Sequence, residues 1–351
     1  MAERPTQDAT PAPPDGGGPT GADLTPARRR NALLRHLPHV LGLFLLVGAV
    51  IVVQREVRTL HWQDISHALF TIPATTLWAG AGFTLLSYLV LSFYAWLAVR
   101  QVGCKLAFRR TAFAAFCSYV LSHNLGFSAI SGAAVRFRLY GNWGLKPFDV
   151  AQIIAFCSAT YLLGAAVLIG SVLVLEPGTV PFIGHALPAP VMRLIGCVLW
   201  AGVIGYVIAG RYVNEIRVWR WQVTFPSAGM AVMQTLVAAL EVAATAAIAY
   251  TFLPVAPGLD YGTFLAIYIA SYTAGLVASV PGGLGVFDGT MMLALGAYVP
   301  ATRVVTAILI FRLFYYIVPL FVAGIMFAAH ELFLRGDAAL ARKVGARSPV
   351  R

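Results

Sequence analysis

The stretch Ser279-Val-Pro-Gly-Gly-Leu-Gly-Val-Phe-Asp288 interrupts an apolar segment that runs from Gly262 to Val299. Proline ends an incoming helix, and the glycines that follow it permit a tight turn. The apolar pieces on either side have about 15 residues or fewer. At 1.5 Å per residue they reach roughly 22 Å, which is too short to cross a hydrocarbon core of about 30 Å alone. We therefore expect a re-entrant hairpin, two half-helices that meet at a non-helical turn inside a membrane.

A second apolar segment, Thr111–Tyr140, is broken in the same way by Gly126-Phe-Ser-Ala-Ile-Ser-Gly132. Shifting the chain by 151 residues lays Phe113 on Phe264 and one break on the other. Three apolar segments long enough to cross the bilayer lie between the two breaks, so the two hairpins are expected to enter the membrane from opposite sides. An inverted repeat with broken helices is typical of secondary transporters, whose substrates bind near the bilayer midplane.

The composition supports a membrane protein, since 59% of the residues are hydrophobic and 11% are charged. These values exclude a soluble enzyme, a nucleic-acid-binding domain and a disordered scaffold. We expect an all-α polytopic membrane protein with about six transmembrane helices and two re-entrant hairpins at about 111–140 and 262–299. The six expected spans are Pro38–Gln54, Ala74–Val99, Val150–Leu175, Pro190–Ala209, Ser227–Leu253 and Thr302–Leu332.

The basic residues predict the orientation of the chain, which has a net charge of +11. With two re-entrant hairpins, 20 of the 25 lysines and arginines fall on the side that holds both termini. The positive-inside rule assigns that side to the cytoplasm. We accordingly expect a disordered basic tail over residues 1–37, an integral membrane domain over 38–335, and a basic cytoplasmic tail over 336–351.

The first break offers a site for an anion. A helix that starts after Gly132 would present free N–H groups and the positive end of its dipole. Ser128 and Ser131 add hydroxyl donors, and Arg136 and Arg138 follow within two turns. The functional interpretation is a phosphate or carboxylate cradle that opens toward the cytoplasm. The alternative is that both arginines are topology charges that extend to the membrane interface.

The second break offers a carboxylate, because Asp288 stands in the first turn of the outgoing half-helix. That position stabilises a helix N-terminus, and it also suits a cationic head group or a coupling proton. We include the glycines of the turn in the candidate site: Gly282, Gly283 and Gly285.

Two further charges, Glu241 and Arg312, lie deep inside apolar spans. Each costs about 2.5–3.5 kcal/mol at a helix centre, so each should face a partner or a wet cavity. Either they bind substrate or they form a structural ion pair with each other, and the sequence leaves both alternatives open.

Three runs in this sequence resemble the transmembrane flippase region of the MprF family, the lysylphosphatidylglycerol synthase/flippases. They are Ser-Gly-Ala-Ala-Val-Arg-Phe-Arg-Leu-Tyr at 131–140, Pro-Gly-Gly-Leu-Gly-Val-Phe-Asp at 281–288 and Phe-Arg-Leu-Phe-Tyr-Tyr at 311–316. The resemblance implies a bacterial inner-membrane protein that moves aminoacylated phosphatidylglycerol outward, which gives resistance to cationic antimicrobial peptides. It also implies that Arg136, Glu241, Asp288 and Arg312 are functional polar groups.

The resemblance covers the transmembrane region and not the soluble aminoacyltransferase domain of the family. Lysyltransferase activity is therefore not expected. We expect a translocator of an anionic or aminoacylated phospholipid such as lysyl-phosphatidylglycerol, with no catalytic residues, cofactor or metal. The alternatives are a membrane-embedded lipid-modifying enzyme and a membrane partner of a separate aminoacyl-phosphatidylglycerol synthase. Phospholipids are the expected partners, with a separate synthase and a second copy of the chain as further candidates; nucleic acid is not expected.

Overall fold

The computed structural model describes residues 72–125, 128–175, 177, 187–213, 215–218, 221–277 and 285–345. The predicted first span, Pro38–Gln54, and the predicted tail over 1–37 lie outside these residues. The elements are α1 (Ala74–Gln101), α2 (Phe108–Leu125), α3 (Ser128–Asn142), α4 (Pro147–Leu175), α5 (Ala189–Tyr212), β1 (Glu215–Val218), β2 (Trp221–Thr224), α6 (Ala228–Thr251), α7 (Tyr261–Val277), α8 (Val286–Leu295), α9 (Ala301–Arg312), a π-helical segment (Leu313–Ile317) and α10 (Val318–Gly345).

Within the described ranges, five helical stretches are long and apolar enough to cross a membrane. They are α1, α4, α5, α6 and the continuous rod Ala301–His330, which contains α9, the π-helical segment and the start of α10. Their lengths of 24 to 30 residues correspond to about 36–45 Å, more than the hydrocarbon core requires. Each agrees with a span expected from the sequence. The chain is a multi-pass, all-helical membrane protein with one short pair of strands.

The two broken segments form helix pairs, as expected, with α2 packed on α3 and α7 packed on α8. Their bounds differ from the prediction. Helix α2 has 18 residues and α7 has 17, so these arms are longer than expected. Helix α3 begins at Ser128, ahead of the expected start after Gly132, so Gly132 lies inside the helix. Its missing side chain serves close packing there, since a Cβ would lie 3.2 Å from the Ser122 Cβ.

The starts of the helices follow from local sequence. Proline precedes α1 and α9 as Pro73 and Pro300, where its fixed φ suits the entry into a helix. The Ser227 hydroxyl accepts the Met230 N–H at the start of α6. In the loop before α7, the Asp260 carboxylate accepts the Thr263 N–H at 2.7 Å. That hydrogen bond holds the pKa of Asp260 below its usual value.

The packing obeys the internal repeat predicted from the sequence. The shift of 151 residues relates α1, α2, α3 and α4 to α6, α7, α8 and the last rod. Equivalent helices pack on equivalent partners. Helix α1 packs on α2 as α6 packs on α7, and α3 packs on α4 as α8 packs on α9. Helix α7 contacts α4 as α2 contacts α10. Each hairpin therefore lies against the long helix of the other repeat.

One element was not expected. Strands β1 and β2 pair antiparallel between α5 and α6, with Glu215 opposite Thr224 and Val218 opposite Trp221. The hairpin joins two membrane-crossing helices, which places it at the end of the helical bundle. The sequence analysis assigned no secondary structure to this region.

The close approach of α4 to α6 gives a test of the packing. A Cβ at Gly164 would overlap the Ala238 Cβ and lie 2.8 Å from the Ala238 carbonyl carbon. We expect Gly164→Ala to lower the free energy of unfolding by about 1–3 kcal/mol, because the two backbones must move apart. Thermal unfolding of the purified protein in detergent measures this effect.

Gly205→Ala on α5 is the matched control, since no atom lies within 4 Å of a Cβ there. It should leave stability unchanged or raise it, because alanine favours helix over glycine. Equal melting temperatures for Gly164→Ala and the unaltered chain would contradict the α4–α6 contact.

Candidate functional site

An ion pair joins the second hairpin to the last rod. The Arg312 Nη2 atom lies 2.8 Å from Asp288 Oδ2 and 2.9 Å from Oδ1, and Arg312 Nε lies 3.2 Å from Oδ1. The arginine side chain is 6% exposed and the aspartate side chain 24% exposed. A bidentate contact of this kind fixes both the distance and the orientation of the two groups. It therefore fixes the start of α8 against the end of α9.

Asp288 also organises the turn before α8. Its Oδ2 atom accepts the Gly285 N–H at 3.0 Å. Gly285 has φ = 81°, in the left-handed region that glycine adopts without a steric penalty. Gly282 and Gly283, the other two glycines predicted for this site, lie outside the described residues.

Glu241 lies on α6 within a shell of hydroxyl groups. Its Oε1 atom accepts hydrogen bonds from Thr245 at 2.8 Å, Ser87 at 3.1 Å and Tyr315 at 3.3 Å. The residue is 7% exposed. Hydroxyl donors from α1, α6 and the π-helical segment thus converge on one carboxylate oxygen.

The second carboxylate oxygen of Glu241 accepts no hydrogen bond from the part of the chain that the structure describes. No cation there contacts Glu241, and Arg312 is paired with Asp288 instead. The alternative of a Glu241–Arg312 ion pair is therefore not realised. Glu241 is a buried acid held by neutral donors, with one oxygen left for another partner.

Arg136 is buried on α3, with 6% of its surface exposed. Its guanidinium carbon lies 4.6 Å from the centre of the Tyr119 ring, a distance at which a cation is attracted to the ring face. Among the described residues, no carboxylate contacts Arg136. The interpretation of Arg136 as a topology charge at the membrane interface is therefore wrong, because the side chain is enclosed by protein.

Polar atoms without partners gather in the first hairpin. Arg136 Nε, the Tyr140 hydroxyl and His123 Nδ1 are buried and have no hydrogen-bond partner in the described structure. Arg136 and Tyr140 are four residues apart on α3, so they lie on the same face of that helix. Buried polar groups in proteins are nearly always satisfied, so such a cluster points to a ligand or water.

The remaining residues of the predicted anion site are placed less completely. Ser128 begins α3 and Ser131 follows in its first turn, which keeps both at a helix N-terminus. Their side chains are outside the described part of the structure. Arg138 is partly exposed, two residues beyond Arg136.

Aromatic rings connect Arg136 to Glu241. The Tyr119 ring that contacts Arg136 lies 6.1 Å from the His123 ring, and His123 stacks on Tyr315 at 5.6 Å. Tyr315 in turn donates its hydroxyl to Glu241. The sequence analysis did not include Tyr119, His123 or Tyr315 in the candidate site. Contacts between α2, α3 and the π-helical segment bring these three rings together. Such contacts between distant segments cannot be predicted from a local sequence motif.

The π-helical segment Leu313–Ile317 positions two of these rings. It follows Arg312 directly, and Arg312 lies 5.8 Å from the centre of the Tyr316 ring. Single π-helical turns in α-helices are frequent at functional sites, because the extra residue redirects side chains. Here the turn presents Tyr315 to Glu241 while Arg312 faces Asp288.

Residues 39–323 match the family model described as the lysylphosphatidylglycerol synthase transmembrane region. The chain belongs to this family. The resemblance drawn from the runs at 131–140, 281–288 and 311–316 is thereby confirmed for the transmembrane region.

Relatives of two kinds share this region. The chain is 30% identical to the uncharacterized protein slr0712 of Synechocystis sp. and 23% identical to the inner membrane protein YbhN of Escherichia coli, covering 84% and 83% of this chain and 92% of each relative. It is 25% identical to the phosphatidylglycerol lysyltransferase of Staphylococcus haemolyticus over 85% of this chain. The match covers 34% of that lysyltransferase.

The ion pair predicts coupled stability effects. Asp288→Asn leaves the buried Arg312 guanidinium without its counter-ion, which should cost about 3 kcal/mol or more. Arg312→Gln should cost less, because the Asp288 side chain is partly exposed. Thermal unfolding of both single variants and the double variant in detergent measures the coupling.

The double variant should lose less stability than the two single losses together, since each single change removes the same contact. Arg303→Gln, an exposed arginine on α9, is the matched control and should melt with the unaltered chain. Strictly additive losses would show that Asp288 and Arg312 do not interact.

Proposed function

We propose that the chain is a lipid translocator that moves an anionic or aminoacylated phospholipid, such as lysyl-phosphatidylglycerol, across the bacterial inner membrane. The observation that carries the proposal is the buried Arg136, which contacts the Tyr119 ring and no carboxylate among the described residues. Burying an arginine side chain inside a membrane domain costs free energy unless an anion neutralises its charge. A phosphodiester is the anion that every glycerophospholipid of this class carries.

The phosphate subsite consists of Arg136 with the polar atoms beside it. Arg136 Nε and the Tyr140 hydroxyl lie on one face of α3, and neither has a hydrogen-bond partner in the described part of the chain. A phosphate oxygen accepts from both types of group, and guanidinium suits it in geometry and charge. Ser128, Ser131 and Gly132, at the N-terminal end of the same helix, extend this subsite in our proposal, and Arg138 lies beside it.

Glu241 forms the second subsite. One oxygen is held by three hydroxyls, so the carboxylate is positioned without being neutralised. The other oxygen remains for an ammonium group of an aminoacylated head group or for a proton. A cationic and an anionic subsite in one bundle fit a head group that carries both charges.

Asp288 and Arg312 have a different role in this proposal. Because they neutralise each other, they do not act as two separate ligands for phosphate and ammonium. They hold the second hairpin, whose helix α8 begins directly after Gly285, on the last rod. Separation of this pair would release the hairpin and change which side of the membrane reaches the site.

The family relationship supports the substrate class. Phosphatidylglycerol lysyltransferases contain a region similar to this chain, and their name states that they act on phosphatidylglycerol. The relative in Escherichia coli is named as an inner membrane protein. We extend both properties to this chain, with both termini in the cytoplasm as the basic residues indicate. A separate synthase would supply the aminoacylated lipid, and a second copy of the chain is a further candidate partner.

Reconstitution into vesicles tests the proposal. Vesicles contain phosphatidylglycerol with a trace of fluorescent lysyl-phosphatidylglycerol, and dithionite bleaches the label in the outer leaflet. The unaltered chain should accelerate the loss of the protected fluorescence over protein-free vesicles. Arg136→Gln and Glu241→Gln should each slow this exchange about tenfold or more, because each removes a charge-assisted contact worth roughly 1.5–3 kcal/mol.

Arg303→Gln is the control, since that arginine is exposed and far along α9 from Arg312. Exchange no faster than in empty vesicles, or full activity of both site variants, would exclude the translocator. A new lipid product in the same vesicles would favour the alternative of a lipid-modifying enzyme.

A further inference from the structure

His123 lies between the two proposed subsites and has no part in either. Its Nδ1 atom is buried without a hydrogen-bond partner in the described structure. The ring stacks on Tyr315, with 5.6 Å between ring centres and 29° between planes. Packing thus fixes the imidazole while one of its nitrogens has no described protein partner.

The ring stands one aromatic side chain away from each charge. Tyr119 separates His123 from Arg136, and Tyr315 separates it from Glu241. A proton on His123 would therefore be placed between a cation and an anion. The stability of protonated His123 therefore depends on whether an anion is bound at Arg136.

We propose that His123 takes up a proton when the phosphate of a lipid head group binds at Arg136, so that lipid binding and protonation are linked. This inference rests on the proposed function, because it assumes the phosphate subsite. It adds a titrating residue and a second transported species to that site.

The physical reason is electrostatic. In the empty site, the Arg136 guanidinium repels an imidazolium across a single ring, and burial also disfavours a second cation. A bound phosphate cancels the arginine charge, and Glu241 on the far side of Tyr315 then attracts the imidazolium. The proton comes from a hydronium ion of the solvent: its O–H bond breaks as the N–H bond forms on the neutral imidazole nitrogen, and a water molecule is left. Linkage is reciprocal, so a proton on His123 also strengthens phosphate binding.

His123 has several titratable or charged neighbours. Among the described residues, the titratable and charged side chains that face this part of α2 are Tyr88 and Tyr94 on α1, Arg136 on α3, Cys157 on α4, Tyr315 and Tyr316 in the π-helical segment, and His330 on α10. Tyrosine and arginine keep their charge state between pH 5 and 8, while histidine titrates there. His330 contacts Phe113 and Trp143, away from Tyr315.

Nuclear magnetic resonance of the full chain with isotope-labelled histidine tests the link. The protein is placed in nanodiscs of phosphatidylglycerol or of an uncharged glycolipid, and the His123→Gln variant assigns the signal. We expect the titration midpoint of His123 to lie about one pH unit higher in phosphatidylglycerol, the size of a single charge interaction at this range. The titration is read on the unaltered chain, so no altered protein has to fold for the result to count.

An anionic membrane concentrates protons at its surface, and the other histidines report that effect. In the unaltered chain, the titration midpoint of His123 must shift more than the midpoints of the other histidines. In Arg136→Gln, its shift must fall to the size of theirs. Equal shifts for all histidines in the unaltered chain, or an undiminished His123 shift in Arg136→Gln, would overturn the inference.

A transport measurement separates this inference from the proposed function. Vesicles loaded with a pH-sensitive dye should show proton movement during lipid exchange by the unaltered chain, and His123→Gln should exchange lipid without it or at least about tenfold more slowly. Lipid exchange by the unaltered chain without proton movement would refute the link while the translocator stands. No lipid exchange at all would refute the translocator itself.

Discussion

Arg312 lies inside the helical bundle, where a guanidinium is stable only beside an opposite charge, and Asp288 supplies that charge. The contact connects residues 24 positions apart and joins the second hairpin to the last rod. Because the same carboxylate accepts the Gly285 N–H, the pair also fixes the turn at which the hairpin's second arm begins. The geometry of this half of the bundle therefore depends on one charge-assisted contact.

The pair has a consequence for the other two buried charges. Four ionisable side chains were expected to be functional in the membrane, and two of them neutralise each other. Arg136 and Glu241 remain, one against a tyrosine ring and the other among hydroxyl groups. Neither environment supplies an opposite charge, because aromatic rings and hydroxyl groups are neutral. A ligand with complementary charges would compensate both.

Much of this arrangement could be predicted from the sequence, because it depends on local patterns. Apolar runs give the crossing helices, and the glycine-rich interruptions give the two hairpins. The partner of Arg312 could not be predicted, since Asp288 and Glu241 are both distant in sequence and only the packing decides between them. The start of α3 was misplaced because Gly132 looks like part of a turn, whereas it serves the close contact of α3 with α2. The place of His123 between Arg136 and Glu241 could not be predicted either, because it arises from the packing of three separate elements.

The internal repeat sharpens the contrast between the hairpins. The shift of 151 residues lays Phe287 on Arg136 and Asp288 on Phe137, so equivalent backbones carry their charges at neighbouring positions and with opposite sign. The aspartate of the second hairpin has its counter-ion on the adjacent rod, at the position equivalent to Tyr161 in the first repeat. Since a tyrosine stands where the first hairpin would need a carboxylate, Arg136 cannot be neutralised in the same way. The repeat thus provides two similar scaffolds, one held by its own ion pair and one whose buried arginine contacts no carboxylate among the described residues.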